Sequence, residues 1–260
     1  MNRRLILLLS LFGFIVFIIV LSSAVFSLKT AELNFLSTTY NLTEQESIIE
    51  SAGFEYGQSI FFTNTKLYIE NLENNNPYLK VVSIEVVFPN KLVIHAVERN
   101  EVYAVKLANN TYAIIDDELK VLAIKPVFVN STNNAMQVFL YEETVPTTNA
   151  VLGQALVLSG SNADILKSFF KHSSEWEPNL ANLRANIKQL TLNYEEVKTI
   201  NIEMRQGVHI IIPNSHEVFS DKLQLAYSVY ESDEMYRTQG IILIVKRLDG
   251  IIEAMYDDGQ

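Results

Sequence analysis

Four histidines, His95, His172, His209 and His216, and two runs of adjacent carboxylates, Asp116-Asp117-Glu118 and Glu142-Glu143, are the residues best equipped for chemistry. Imidazoles with convergent spacing would hold zinc or move protons, and paired carboxylates would serve as acid and base on a glycosidic bond. Neither pattern has the required spacing. The histidines are scattered without an H-E-x-x-H motif. Neighbouring carboxylates in a turn form a solvated cluster, whereas glycosidic chemistry needs two that face each other with split pKa values. His95 and His209 fall within strand patterns, and His216-Glu217 reads as a cap for a following helix. G-x-S-x-G, P-loop and G-x-G-x-x-G signatures are absent. The chain has no cysteine, which removes thiol catalysis, iron–sulfur clusters, thiolate zinc and disulfides together. Trp176 and the tyrosines offer a glycan-lining alternative, but their setting fits core packing. The expectation is a protein with no catalytic residue, no cofactor and no metal.

Composition narrows the class further. The 260 residues carry 20 Lys+Arg against 30 Asp+Glu, a net charge of −10. A nucleic-acid binder needs a basic face to displace counterions, so that class is disfavoured. With 48% apolar and 19% charged residues, the chain is not disordered.

Arg3 and Arg4 are followed by no charge until Lys29. Leu5–Leu28 is apolar and long enough to cross a bilayer, which takes about 20 residues of helix. The charges ahead of it place the N-terminus in the cytoplasm and the remainder outside. A cleaved signal peptide is the competing reading, with small residues at Ser22-Ser23-Ala24, but its apolar core would be shorter, about 7–15 residues. The expected order is a cytoplasmic tail at 1–4, a transmembrane helix at 5–28, a small α+β domain at 29–99 and a mostly-β domain at 100–260.

Periodicity supplies the elements that would position any site. Thr43-x-x-Glu46 forms a capping box ahead of a helix with Ile48, Ile49 and Ala52 on one side, ended by Gly53. Gln58–Phe62 reads as a short buried stretch. A second helix over Lys66–Leu72, with Leu67, Ile69 and Leu72 apolar, stops at the Asn74-Asn75-Asn76 run. A strand over Lys80–Phe88 sets Val82, Ile84 and Val86 opposite Ser83 and Glu85; Pro89-Asn90 turns, and Leu92–Val97 returns. A short strand near Leu33–Leu36 precedes them. Beyond Asn100, strands are expected at 102–107, 111–115, 120–124, 136–141, 187–192, 199–204, 208–213, 241–245 and 251–256, with a further one at Val127–Val129. Two helices are expected, at Asn162–Lys171 and Asp221–Tyr230, with a helical or irregular stretch around Trp176–Arg184. Asp249-Gly250 is a turn.

The stretch Asn76–Arg99, with its Pro77 start, Pro89-Asn90-Lys91-Leu92 turn and closing Glu98-Arg99, resembles the end of the POTRA domain in bacterial cell-division proteins of the FtsQ/DivIB family. Val102–Val105 and Tyr112–Asp116 are similar to that family's first β-domain strands. The family's Gly before Lys120-Val121 is missing here. Gly207-Val208-His209, Lys222-Leu223 and the closing strand pair resemble its C-terminal block. In order, the resemblance covers essentially the whole chain.

What the resemblance implies is a non-enzymatic, bitopic division scaffold at the septum, bearing a POTRA domain and a β-domain outside the cell membrane. Its implied partners are FtsL-like and FtsB/DivIC-like bitopic proteins, with a septal peptidoglycan synthase as a further candidate. The implied mode is strand addition to an open sheet edge, where backbone hydrogen bonds carry affinity. The matching positions are Arg247, Leu248, Asp249, Gly250, Ile251, Ile252, Glu253 and Ala254. Ile251–Ala254 would offer the edge. Arg247, pairing with partner carboxylates, and Asp249 would give selectivity. Two other classes stay open: a membrane-anchored wall enzyme or wall-binding module, which predicts a cleft of convergent polar groups, and a transport or assembly factor, which would need repeated units or a barrel.

Overall fold

The β-branched runs assemble into two sheets, one in each of two units, Met1–Arg99 and Asn100–Gln260. The computed structural model describes residues 11–17, 25–36, 42–141, 150–158, 162–193, 198–232 and 238–258.

In the N-terminal unit, residues 11–17 form helix α1 with exposed apolar side chains. Most of the expected Leu5–Leu28 span, including Ser22-Ser23-Ala24, lies outside the described residues. No helix among the described residues is long and apolar enough to cross a membrane. Next come β1 (Thr30–Phe35), α2 (Leu42–Ser51), a 3-10 turn (Ile60–Phe62), α3 (Thr65–Asn75), β2 (Leu79–Val87) and β3 (Lys91–Glu98). The sheet order is β1-β3-β2, with β1 parallel and β2 antiparallel to β3. Ile48, Ala52 and Leu72 of the helices pack with Leu79, Val81, Ile94 and Ala96 of the sheet.

Four local expectations are corrected here. Helix α2 starts at Leu42, which puts Thr43 inside its first turn and not at the cap. Helix α3 runs past the expected Leu72 and ends inside the Asn run: Asn74 and Asn75 are its last residues, and Asn76 is its C-cap. Asparagine amides along α3 have work to do, since α2 ends with carbonyls that lack helical partners. Asn71 donates to Ala52 O at 2.9 Å and Asn75 to Ser51 O at 3.0 Å. The strand alternation breaks at a bulge between Val81 and Ser83, so Leu79 and Val81 are buried but Val82 is exposed. One extra residue in a strand re-aims the side chain. Within Gln58–Phe62 only Ile60 is buried; Phe61 and Phe62 face solvent.

The C-terminal unit holds β4 (Tyr103–Lys106), β5 (Tyr112–Ile115), β6 (Val121–Lys125), β7 (Met136–Leu140), α4 (Asn162–Trp176), α5 (Leu180–Asn186), β8 (Ile187–Asn193), β9 (Thr199–Met204), β10 (His209–Ile212), α6 (Phe219–Tyr230), β11 (Ile241–Lys246) and β12 (Ile252–Asp257). They form one nine-stranded sheet in the order β12-β11-β10-β9-β8-β7-β4-β5-β6. The pairs β7·β8 and β10·β11 are parallel, joined through α4–α5 and through α6. Parallel crossovers are right-handed, and these two step in the same direction along the sheet, so their helices land on one face. There Ile165, Leu166, Phe169, Leu183, Leu223 and Ala226 pack on alternate residues of the strands, such as Leu190, Ile202, Ile210, Ile242 and Ile244.

Two sequence readings change in this unit. Val127–Val129 is not a strand. Following Pro126, it is a loop pinned by Asn130, whose amide donates to Lys188 O at 2.9 Å, and Phe128 packs toward Ala104 and Ile114. The undecided Trp176–Arg184 stretch begins on the last residue of α4 and yields helix α5 from Leu180, a third helix among the described residues of this unit. Its N-cap Asn179 accepts from Ala181 N at 2.9 Å. Where the resembled family carries Gly before Lys120-Val121, Leu119 takes φ of 69°, the left-handed region.

Candidate functional site

The eight residues singled out in the sequence fall on one hairpin. Arg247–Ile251 is its turn and Ile252–Ala254 begin β12. Gly250, at φ of 88°, supplies the left-handed step, and Gly250 N donates to Arg247 O at 3.0 Å. Asp249 Oδ1 accepts from Ile251 N at 3.1 Å, so this carboxylate shapes the turn. Leu248 is fully exposed at the tip and Ile251 is exposed beside it.

Strand β12 occupies the edge of the sheet, paired only with β11 among the described residues. The opposite edge differs. There Val121 N donates to Gln154 O at 2.8 Å, Gly153 N to Val121 O at 2.9 Å, and Lys120 bridges Ala155. The 153–156 loop therefore covers the start of β6, while β12 has no such cover among the described residues.

Hydrogen-bond parity says which groups β12 presents. Arg247 N donates to Ile251 O at 2.8 Å, and the register pairs Lys246 with Ile252, Val245 with Glu253, and Ile244 with Ala254. Antiparallel ladders alternate bonded and non-bonded pairs. Glu253 and Met255 therefore bond inward to β11, while Ile252 and Ala254 direct their backbone N–H and C=O to the open side. Their side chains meanwhile pack on the core beside Tyr256. Met255 is exposed on the helix-free face, as is Ile241 of β11.

Arg247 is engaged within its own hairpin. Its Nη1 donates to Glu253 Oε1 at 2.7 Å, and its Nε lies 3.6 Å from Asp249 Oδ2. Any selectivity it offers would come from this three-residue cluster. It does not project as an isolated cation.

The other chemistry-bearing residues do not converge. Asp116 is buried and its Oδ1 accepts from Glu118 N at 3.0 Å and Lys120 N at 2.7 Å, a turn-building role. Glu142-Glu143 lies outside the described residues. His95 sits between Asn34 and Glu85 on the smaller sheet. His216-Glu217 does not cap α6, whose N-cap is Val218 with no side-chain bond, because the left-handed φ of 44° there turns the chain instead. Glu217 pairs with Lys246 at 3.7 Å. Among the described residues no group of three or more His, Cys, Asp or Glu is arranged to hold a metal ion.

A feature the sequence did not reveal is a cleft of about 290 Å³ between α4 and α6, lined by His172, Glu175, Trp176, Ser220, Tyr227 and Glu231 among others. Trp176 stacks on Tyr227 at 3.9 Å and donates to Glu231 Oε1 at 2.7 Å. Ser220 Oγ and Glu175 Oε2 both approach Nδ1 of His172, at 3.3 and 3.0 Å. A Ser–His–carboxylate relay needs the two on opposite ring nitrogens, so this is not one. Beside the cleft, Lys222 is buried and donates to Pro213 O at 2.8 Å and Asn214 O at 2.9 Å; burial lowers its pKa below the usual lysine value.

Comparison with known proteins accords with this architecture. The family profile described as POTRA domain, FtsQ-type matches residues 37–99. The chain is 29% identical over 203 residues to the Cell division protein DivIB of Clostridium tetani, covering 75% of this chain and 67% of that protein. It is 39% identical over 70 residues to the DivIB of Clostridium botulinum, 27% of each chain. It is 33% identical over 84 residues to that of Clostridium acetobutylicum, covering 32% of this chain and 33% of that one.

Proposed function

The chain belongs to the FtsQ/DivIB family of cell-division proteins, which are scaffolds and not enzymes, and from that premise we propose that it is a bitopic scaffold holding FtsL-like and FtsB/DivIC-like partners outside the cell membrane at the division septum. The apolar run that begins at Leu5 is the anchor, with Met1 in the cytoplasm; it has left the helix by Phe26, since Ser27 bridges Ser59 and Leu28 packs in the core of the N-terminal unit. The residues 29–99 and 100–260 are the extracytoplasmic POTRA and β-domains. A septal peptidoglycan synthase is a further candidate contact.

One observation carries the reading: among the described residues no strand or loop covers β12, the edge of a nine-stranded sheet, and Ile252 and Ala254 turn their backbone groups outward. An extended partner segment would continue the ladder, with backbone bonds giving affinity and side-chain pockets giving choice. The exposed Leu248, Ile251 and Met255 provide apolar contacts around that ladder, and the Arg247–Glu253–Asp249 cluster provides charged ones.

Photo-crosslinking in cells tests it. A photoreactive residue at Leu248 or Met255 is expected to capture small bitopic membrane proteins, while one at Ile124 on β6 captures none of them. Equal capture from both edges would move the site away from β12. The α4–α6 cleft favours a second reading, a wall-binding module. Capture of glycan fragments from Gln224, with no protein captured from β12, would decide for it.

A further inference from the structure

Phe61, Phe62 and Phe88 are 60%, 84% and 59% exposed, although phenylalanine is ordinarily buried. They are not scattered. The Phe61 ring lies 5.5 Å from Phe88, and Phe26 lies 5.3 Å from Phe61 and 6.2 Å from Phe88. Exposed Val25 adjoins them in sequence. A contiguous exposed aromatic patch marks a surface that meets something apolar.

Its position says what that is. Phe26 lies within the end of the apolar Leu5–Leu28 run, and the segment bearing Phe61 and Phe62 is tied to that end by backbone bonds. Ile60 N donates to Phe26 O, Leu28 N to Gln58 O and Gly57 N to Leu28 O, each at 2.8 Å, and Ser27 bridges Ser59. The Phe88 turn is held to the same place, because Lys29 N donates to Asn90 O at 2.8 Å. The patch is therefore fixed at the depth where the run leaves hydrocarbon. Exposed Lys29 stands at the same pole, suited to anionic headgroups.

We propose that Phe26, Phe61, Phe62 and Phe88 form an aromatic foot that inserts into the outer interface of the bilayer and seats the N-terminal unit on the membrane. This rests on reading the apolar run that begins at Leu5 as a membrane anchor. Apolar side chains at the headgroup–acyl boundary bind by area buried, so the foot adds a second attachment beside the spanning helix. It would fix the tilt of the unit that follows, which a single helix and a short connection cannot do alone.

The absence of cysteine makes the test direct. The full-length chain is reconstituted in nanodiscs of phosphatidylcholine and phosphatidylglycerol, with one nitroxide at Phe62→Cys, Phe88→Cys, Glu98→Cys or Phe14→Cys. Glu98 ends the strand that Lys91 begins, roughly 23 Å away at 3.3 Å per residue, and serves as the water-exposed reference. The oxygen-to-nickel collision ratio is expected to be several-fold higher at 62 and 88 than at 98, and highest at 14. Equal ratios at 62, 88 and 98, with 14 still in lipid, would overturn the foot and leave the anchor standing. A wet label at 14 would overturn the anchor and the foot together. Loss of nickel access at 62 only after other membrane proteins are added would assign the patch to a protein partner and overturn the lipid contact.

Discussion

Arg99 Nη2 lies 2.9 Å from Glu73 Oε2, joining the last residue of the N-terminal unit to α3. Arg99 is almost wholly buried, and its Nε also donates to Leu79 O at 3.2 Å. The other carboxylate oxygen of Glu73 accepts from Val81 N at 2.9 Å, next to the β2 bulge. One ion pair thus ties together the helix, the interrupted strand and the end of the unit, giving a structural reason for the Glu98-Arg99 ending.

Removing one partner of a buried pair takes away much of what offsets the other's desolvation. Arg99→Ala is expected to cost the N-terminal unit about 3–5 kcal/mol. Glu73→Gln keeps an acceptor for Val81 N and is expected to cost less. Urea unfolding followed by far-UV circular dichroism checks both; equal, small losses would show that the pair is not what closes the unit.

Proline along β12 separates binding from folding. At Ile252 it removes an N–H that points away from β11, so partner capture is expected to fall while the melting temperature stays nearly unchanged. At Glu253 it removes a ladder donor and is expected to lower stability by about 3 kcal/mol. Reversed outcomes in paired melting and capture measurements would mean that the strand faces the other way.

Arg247→Glu sets three carboxylates side by side at the turn. The cluster is solvent-exposed, so stability is expected to change by no more than about 1 kcal/mol. Partner affinity is expected to drop, with a steeper dependence on salt between low and physiological ionic strength. A titration that shows no change would confine Arg247 to holding its own hairpin.

Two buried phenols set an alkaline limit. Burial raises the pKa of Tyr103, whose hydroxyl donates to Leu166 O at 2.8 Å, and of Tyr227, which bonds Ser173 at 2.7 Å. The folded state favours the protonated phenol, so the stability this brings is fully present below the ordinary tyrosine value of 10.0 and is lost as pH rises above it. Tyr227→Phe is expected to cost about 1–2 kcal/mol at neutral pH, through Ser173, yet to flatten the decline above pH 10. Melting temperatures across pH 8–11 for the two proteins provide the comparison.

A period-two run made 199–204 legible, because alternation follows directly from sheet geometry, while 80–88 and the closing pair were legible as short β-branched, apolar stretches bounded by turn residues. Val82 escaped, since a bulge depends on what lies opposite it. Phe61 and Phe62 escaped as well, because an aromatic pair reads as core whether or not a core is present. The hairpin bearing Arg247–Ala254 could be located by resemblance, but not the parity of its hydrogen bonds. Parity is set by the register with β11, which no single strand encodes. The α4–α6 cleft joins residues about fifty positions apart, and nothing local announces it.

The alternation along β12 also has a signature in time. Amide hydrogens bonded to β11 wait for local opening before they trade with water, whereas those facing outward trade almost at once. In deuterium oxide, Glu253 and Met255 should hold their protons long after Ile252 and Ala254 have lost theirs. A strand added to that edge would slow Ile252 and Ala254 to the pace of their neighbours, so residue-resolved exchange would register occupancy of the edge without any label or substitution.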